Sequence, residues 1–162
     1  MKANGLAIGV ASLDMENRKI LEKVGALAAT SSNAGKLMEE TVSFLRRERR
    51  HYNWVGIYLL EDGELVLGPY VGKPTPHTRI PLDKGICGAA ASSGETLIVD
   101  DVNSDSRYLA CSLETRSEIV VPIIRRGKVL GEIDIDSDTP AAFNKGDREL
   151  LEGVALIIAE KL

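Results

Sequence analysis

The chain changes hydrophobic rhythm three times. From Leu13 to Thr30 the apolar positions Leu13, Ile20, Leu21, Val24, Leu27 and Ala28 recur at near-helical spacing, which predicts an amphipathic helix. Thr30-Ser31-Ser32-Asn33 is a loop of capping residues, and a second helix over Ala34 to Arg50 gathers Leu37, Met38, Thr41, Val42 and Leu45 on one face. The period then drops to two. Asn53 to Leu60 sets Val55, Ile57 and Leu59 against Trp54, Gly56, Tyr58 and Leu60. Glu61-Asp62-Gly63-Glu64 is a hairpin turn, and Glu64 to Val71 returns. Gly72 to Pro81 is proline-rich and irregular; the Ala-rich stretch Gly85 to Ser93 is a short packed helix, and Thr96 to Val99 a short strand. Asp100 to Arg116 has no period and reads as a long loop with room for one helical turn, a length usually kept for function. Ser117 to Ile124 and Val129 to Asp136 are strands joined through Arg125-Arg126-Gly127-Lys128, and a final helix begins at the N-cap Asn144, with Leu150, Leu151, Val154, Ile157 and Ile158 on its core face. Strands adjacent in sequence and joined by tight turns imply a mainly antiparallel sheet flanked by helices, an α+β fold.

Composition narrows the function classes. The 162 residues carry 20 Lys and Arg against 24 Asp and Glu, a net charge of −4, which argues against non-specific nucleic-acid binding. No apolar run approaches the roughly 20 residues of a membrane span. The apolar patch Leu6 to Ala11 lacks the form of a signal peptide, so the expected compartment is the cytoplasm. With two cysteines, Cys87 and Cys111, a structural disulfide is unnecessary, and the pair is either small buried residues or redox chemistry. His51 and His77 have no ligand-like spacing, so neither a zinc site nor a bound cofactor is expected. The four arginines Arg46, Arg47, Arg49 and Arg50 complement a helix C-terminus.

The strand Val129 to Asp136 carries the chemistry. Leu130, Glu132, Asp134 and Asp136 share one face, either wetted by solvent or forming a site. Glu118 joins them only if paired residue numbers on the two strands sum to an even value. A two-residue turn at Arg126-Gly127 gives an odd sum, so a shared carboxylate cluster predicts a three-residue loop or a bulge. Clustered carboxylates repel, and one of them should then hold a proton near neutrality, which makes a general acid. Trp54 and Tyr58 lie on one strand face with Gly56 between them, leaving space for a ligand or packing as core aromatics. Cys87, in Gly85-Ile86-Cys87-Gly88, stands at an expected helix start that would lower its pKa; Cys111 lies in the long loop.

Taken in order, Asn53-Trp54-Val55-Gly56-Ile57-Tyr58, Thr78-Arg79-Ile80-Pro81, Gly85-Ile86-Cys87-Gly88, Ala110-Cys111, Ser117-Glu118-Ile119-Val120-Val121-Pro122 and Gly131-Glu132-Ile133-Asp134-Ile135-Asp136-Ser137 resemble the free methionine-R-sulfoxide reductases, which are GAF-domain enzymes. The resemblance implies a six-stranded, mainly antiparallel GAF domain over residues 34–162, with residues 1–33 as an N-terminal helical segment packed on it, usually in a homodimer. It implies reduction of free methionine-R-sulfoxide, with Cys111 as nucleophile and Glu118, Asp134 and Asp136 holding the substrate's amino group and sulfoxide oxygen. Trp54 and Tyr58 form an aromatic wall, and Cys87 resolves the intermediate, with a thioredoxin-type dithiol as external reductant. The backbone at Gly85, Ile86 and Cys87 is the expected seat of the substrate carboxylate. A further cysteine that most relatives carry before the Thr-Arg-Ile segment is replaced here by Thr75-Pro76-His77, and Ser112 stands where an acid is common. The alternative is a non-catalytic GAF module that binds a small molecule or senses redox state.

Overall fold

The computed structural model describes residues 13–110 and 112–162; the patch Leu6 to Ala11 and the thiol of Cys111 lie outside the described residues. Helices α1 (Met15–Thr30) and α2 (Ala34–Glu48) lead into a hairpin of β1 (Trp54–Glu61) and β2 (Glu64–Val71). A short β3 (Arg79–Pro81), helix α3 (Gly85–Ser93) and a short β4 (Leu97–Val99) follow. One 3-10 turn, Val102–Ser104, interrupts the long loop, and β5 (Ser117–Arg125), β6 (Lys128–Ser137) and α4 (Lys145–Ala159) complete the chain. The six strands lie in the order β3-β2-β1-β6-β5-β4. Every neighbouring pair is antiparallel, as the tight turns required.

The helix starts follow from side chains that satisfy orphan N–H groups. Asp14 accepts from Asn17 N–H at α1, and Asn33 from Lys36 N–H at α2. At α4, Asn144 and Asp147 form a reciprocal capping box. Helix α2 stops at Glu48, before the last two arginines of the expected span.

Two apolar clusters lie on opposite faces of the sheet. The larger gathers Ile20, Leu21 and Val24 of α1, Leu37, Val42 and Leu45 of α2, Leu150, Leu151, Val154 and Ile158 of α4, and the odd face of the sheet through Val55, Ile57, Ile119, Val121, Ile133 and Ile135. Helix α1 thus shares the core of the sheet. The smaller cluster sits under α3, where Ile86, Cys87, Ala90 and Ala91 cover Trp54, Tyr58 and Val120. Polar groups enter this second face, and there the candidate site forms.

Candidate active site

Strand register assembles the site. On β1 and β6, Trp54 opposes Asp136, Gly56 opposes Asp134, and Tyr58 opposes Glu132. On β5 and β6, Glu118 opposes Asp136. The β5–β6 turn is the two-residue Arg126-Gly127 type, with φ of 51° and 76°, the left-handed pair that suits a tight hairpin. Its odd pairing, Arg125 with Lys128, changes to an even one between Ile124 and Ile123. Leu130 is the extra residue of that bulge. The expected parity change is therefore made by the bulge and not by a longer loop, and Glu118 arrives on the face of the β6 acids.

These acids are not a wet sheet face. Glu132 is 0% exposed, Asp134 2%, Asp136 3% and Glu118 5%. Both carboxylate oxygens of Glu132, and Oδ1 of Asp134 and of Asp136, have no hydrogen-bond partner among the described residues. Burial raises all four pKa values. Asp134 is pushed up to about 6, and Glu118 is raised well above its ordinary value by burial and then by the charges of Asp134 and Asp136. Glu132 and Asp136 are likewise raised well above theirs, by burial first and the Asp134 charge second. A proton is thus retained in the cluster near neutrality, which a general acid needs.

Cys87 lies in the first turn of α3, with its Sγ 3.8 Å from Glu118 Oε1. The expectation that the helix start lowers its pKa is overturned. Burial, and then the charges of Asp134, Glu132 and Glu118, push the thiol well above its ordinary value. The partial charge of one helix terminus does not outweigh three nearby carboxylates in a dry site. Cys87 Sγ and one oxygen each of Glu118 and Asp134 lie within 4.8 Å of one another, close enough to surround a cation. Ile86 is buried beside it. No side chain caps α3, so no capping acceptor meets its first N–H groups, and Gly85, Ile86 and Cys87 line a narrow cleft.

The aromatic wall is larger than expected. Trp54 stacks on Tyr70, with ring centroids 5.5 Å apart and planes at 21°, and lies 6.4 Å from the Tyr58 ring. The space above Gly56 is taken by the Trp54 indole itself, since a Cβ there would overlap the ring. Glycine at this position lets the indole lie flat across the strand; it does not leave room for a ligand. The narrow cleft at Cys87, of about 10 Å³, room for roughly one water molecule, is bounded by His77, Ile86, Cys87, Leu109, Glu118 and Asp134. A second, of about 230 Å³, is lined by Asp136 together with Trp54, Arg46, Lys73, Ser112 and Glu114. The first meets the carboxylate row at Glu118 and Asp134, the second at Asp136.

The structure therefore brings together Trp54, Tyr58, Ile86, Cys87, Glu118, Asp134 and Asp136, and leaves Cys111 outside the described residues. Glu132, Tyr70, His77 and Lys73 were missed as site residues. Glu132 was legible as a member of the acidic face; Tyr70 and the two cationic or titratable residues lie in segments whose register no periodicity gave.

Comparison with known proteins places this geometry. The GAF-domain family matches residues 33–162. The free methionine-R-sulfoxide reductase of Escherichia coli is 31% identical over 150 residues, which are 93% of this chain and 84% of that protein. The free methionine-R-sulfoxide reductase of Saccharomyces cerevisiae is 48% identical over 110 residues, 65% of this chain and 61% of that one. A solved structure of the Neisseria meningitidis free methionine-R-sulfoxide reductase, in complex with its substrate, superposes with a TM-score of 0.86 at 33% identity, covering 93% of this chain and 91% of that one. The chain belongs to the GAF-domain family and, within it, to the free methionine-R-sulfoxide reductases, an oxidoreductase family.

Proposed function

We propose that this protein reduces free methionine-R-sulfoxide to methionine, with Cys111 as the sulfur nucleophile. The observation that supports the reading best is the buried carboxylate row with unpaired oxygens beside an aromatic wall. A buried carboxylate without a partner calls for a cation or a proton. The ammonium group of a free amino acid supplies the first and the protonated sulfoxide oxygen uses the second. A methionine sulfoxide inside a peptide has no such ammonium group.

In this reading Glu118, Asp134 and Asp136 hold the ammonium group and the sulfoxide oxygen, and Trp54 and Tyr58 pack against the S-methyl end. The N–H groups of Gly85, Ile86 and Cys87 receive the substrate carboxylate. The Cys111 thiolate attacks the electrophilic sulfoxide sulfur while a carboxyl gives its proton to the oxygen. Methionine leaves, and the oxygen stays on Cys111 as a sulfenic acid. A second thiol then attacks the Cys111 sulfur, a disulfide forms, and the oxygen departs as water. The two thiols thereby lose the two electrons that the sulfoxide gains. Cys87 is the candidate for the second thiol; its raised pKa suits a group that waits protonated and passes its proton to a neighbouring carboxylate as it attacks. A thioredoxin-type dithiol reduces the disulfide, which fits a homodimer working in the reducing cytoplasm.

The test is an assay of both sulfoxide epimers with a dithiol reductant. Methionine should form from the free R epimer alone, and C111S should abolish it. If the R epimer gives no methionine, or C111S turns over normally, the reading is wrong and a non-catalytic binding module replaces it. Thiol mapping after one turnover checks Cys87, which should be consumed together with Cys111.

A further inference from the structure

We propose that the connection between β2 and β3, residues 72–78, is a two-point clasp on the segment that carries Cys111, with Lys73 and His77 as positioning residues. The proposal rests on the reading of Cys111 as the nucleophile.

The clasp repeats one arrangement twice. Trp54 Nε1 donates to the Lys73 carbonyl at 3.0 Å, and the Tyr58 hydroxyl donates to the His77 carbonyl at 2.8 Å. Both donors belong to the site face of β1, so each end of the connection is tied to the aromatic wall. From the same two residues the side chains reach the long loop. Lys73 Nζ lies 2.7 Å from Glu114 Oε1. His77 Nε2 lies 3.1 Å from the Ala110 carbonyl oxygen. A carbonyl can only accept, so the His77 proton sits on Nε2. In the chain, Ala110 immediately precedes Cys111 and Glu114 follows three residues later, so the two ties fall on either side of it.

Each tie is braced. The His77 N–H donates to Thr75 Oγ1 at 3.1 Å, which fixes the turn that presents the imidazole. Ser112 Oγ donates to Glu114 Oε2 at 2.5 Å and accepts from the Glu114 N–H at 3.2 Å, holding the carboxylate that Lys73 meets. The described residues of 105–116 contain no helix or strand, so external ties have more to fix there than in a regular element. Substrate pressed against Trp54 and Tyr58 therefore acts on the same two backbone carbonyls from which the nucleophile's segment is held.

The two ties differ in kind, and that makes them separable. The Lys73–Glu114 pair is exposed, so salt screens it. The His77 bond joins a ring N–H to a backbone carbonyl and is far less sensitive to salt.

The experiment follows amide exchange of the peptides spanning residues 105–116, together with steady-state kinetics on free methionine-R-sulfoxide, in H77F, H77Q and K73M. H77F should raise exchange in this segment several-fold and lower kcat/KM about five- to tenfold, the scale of one hydrogen bond. H77Q, whose amide N–H reaches the position of Nε2, should recover both, which a merely space-filling role for the ring would not predict. K73M should raise exchange over residues 112–116 at low salt, and about 0.5 M salt should bring the wild type to the same level. Unchanged exchange or unchanged kcat/KM in H77F, or an H77Q no better than H77F, overturns the clasp. Turnover by C111S would instead overturn the assignment of the nucleophile, and with it the purpose of the clasp, whatever the exchange data give.

Discussion

Asp134 combines burial with a pKa near 6, and the sign of its effect on stability follows directly. Its folded pKa lies above the unfolded value of about 3.8. The native state therefore binds more protons than the unfolded chain between those values, and stability falls as pH rises through that window. Glu118, Glu132 and Asp136 are raised in the same direction and extend the loss to higher pH. D134N, which buries a neutral isostere, should be more stable than wild type at pH 8 by roughly 1–3 kcal/mol and nearly equal to it at pH 4. Denaturant titrations at the two pH values check this; a D134N protein less stable at pH 8 would show that the carboxylate is paired in the native state. The same charges act on Cys87. In a C111S background, E132Q should shift the onset of thiolate absorbance to lower pH, because one of the carboxylates that disfavour the anion has been removed.

Among the elements, the β5–β6 hairpin does the assembling. Gly127 sits at φ 76°, where a side chain is strained, so G127A should cost about 1 kcal/mol and leave KM unchanged. Removing one residue from the turn while the bulge at Leu130 persists should be far worse for activity, because it slips β5 by one position and turns Glu118 toward the helical face. Deleting Leu130 itself, which takes out the bulge and its extra residue together, keeps Glu118 opposite Asp136 and should retain turnover. Circular dichroism with the epimer assay separates lost function from lost fold. This hairpin also shows how far the sequence carries. Periodicity of two identified β1, β5 and β6, and the parity argument reduced the site to two options, an odd loop or a bulge. It could not choose, because the bulge at Leu130 is set by the pairing of β6 with β1 on its other side. The Asn144 cap was readable locally, since capping uses residues three apart. The Cys87 pKa was misread for the opposite reason: the helix start is local in sequence, but the carboxylates that overrule it come from strands more than 30 residues away.

Over the whole molecule, one sheet carries two unlike faces. The face under α1, α2 and α4 is apolar and closely filled, whereas the face under α3 buries four acids beside a thiol. The first stabilises the second. L150A should cost about 2–5 kcal/mol, since the side chain is fully buried in the larger cluster, yet leave the KM of the folded enzyme unaltered. The strain on the second face is relieved by what binds there. An ammonium group entering the row is best matched to ionised carboxylates, so at pH 5 it must displace the Asp134 proton, which at pH 8 is already gone. Binding that releases protons strengthens as pH rises, until the raised pKa values are passed. Free methionine-R-sulfoxide should therefore raise the melting temperature of C111S more at pH 8 than at pH 5, by linkage of the ligand to the folded state. Turnover should run the other way at the alkaline end, because the carboxyl that protonates the sulfoxide oxygen must still hold its proton. A thermal shift that grows toward pH 5, or a kcat that climbs steadily through pH 9, would mean that the buried acids neither hold the amine nor supply the proton.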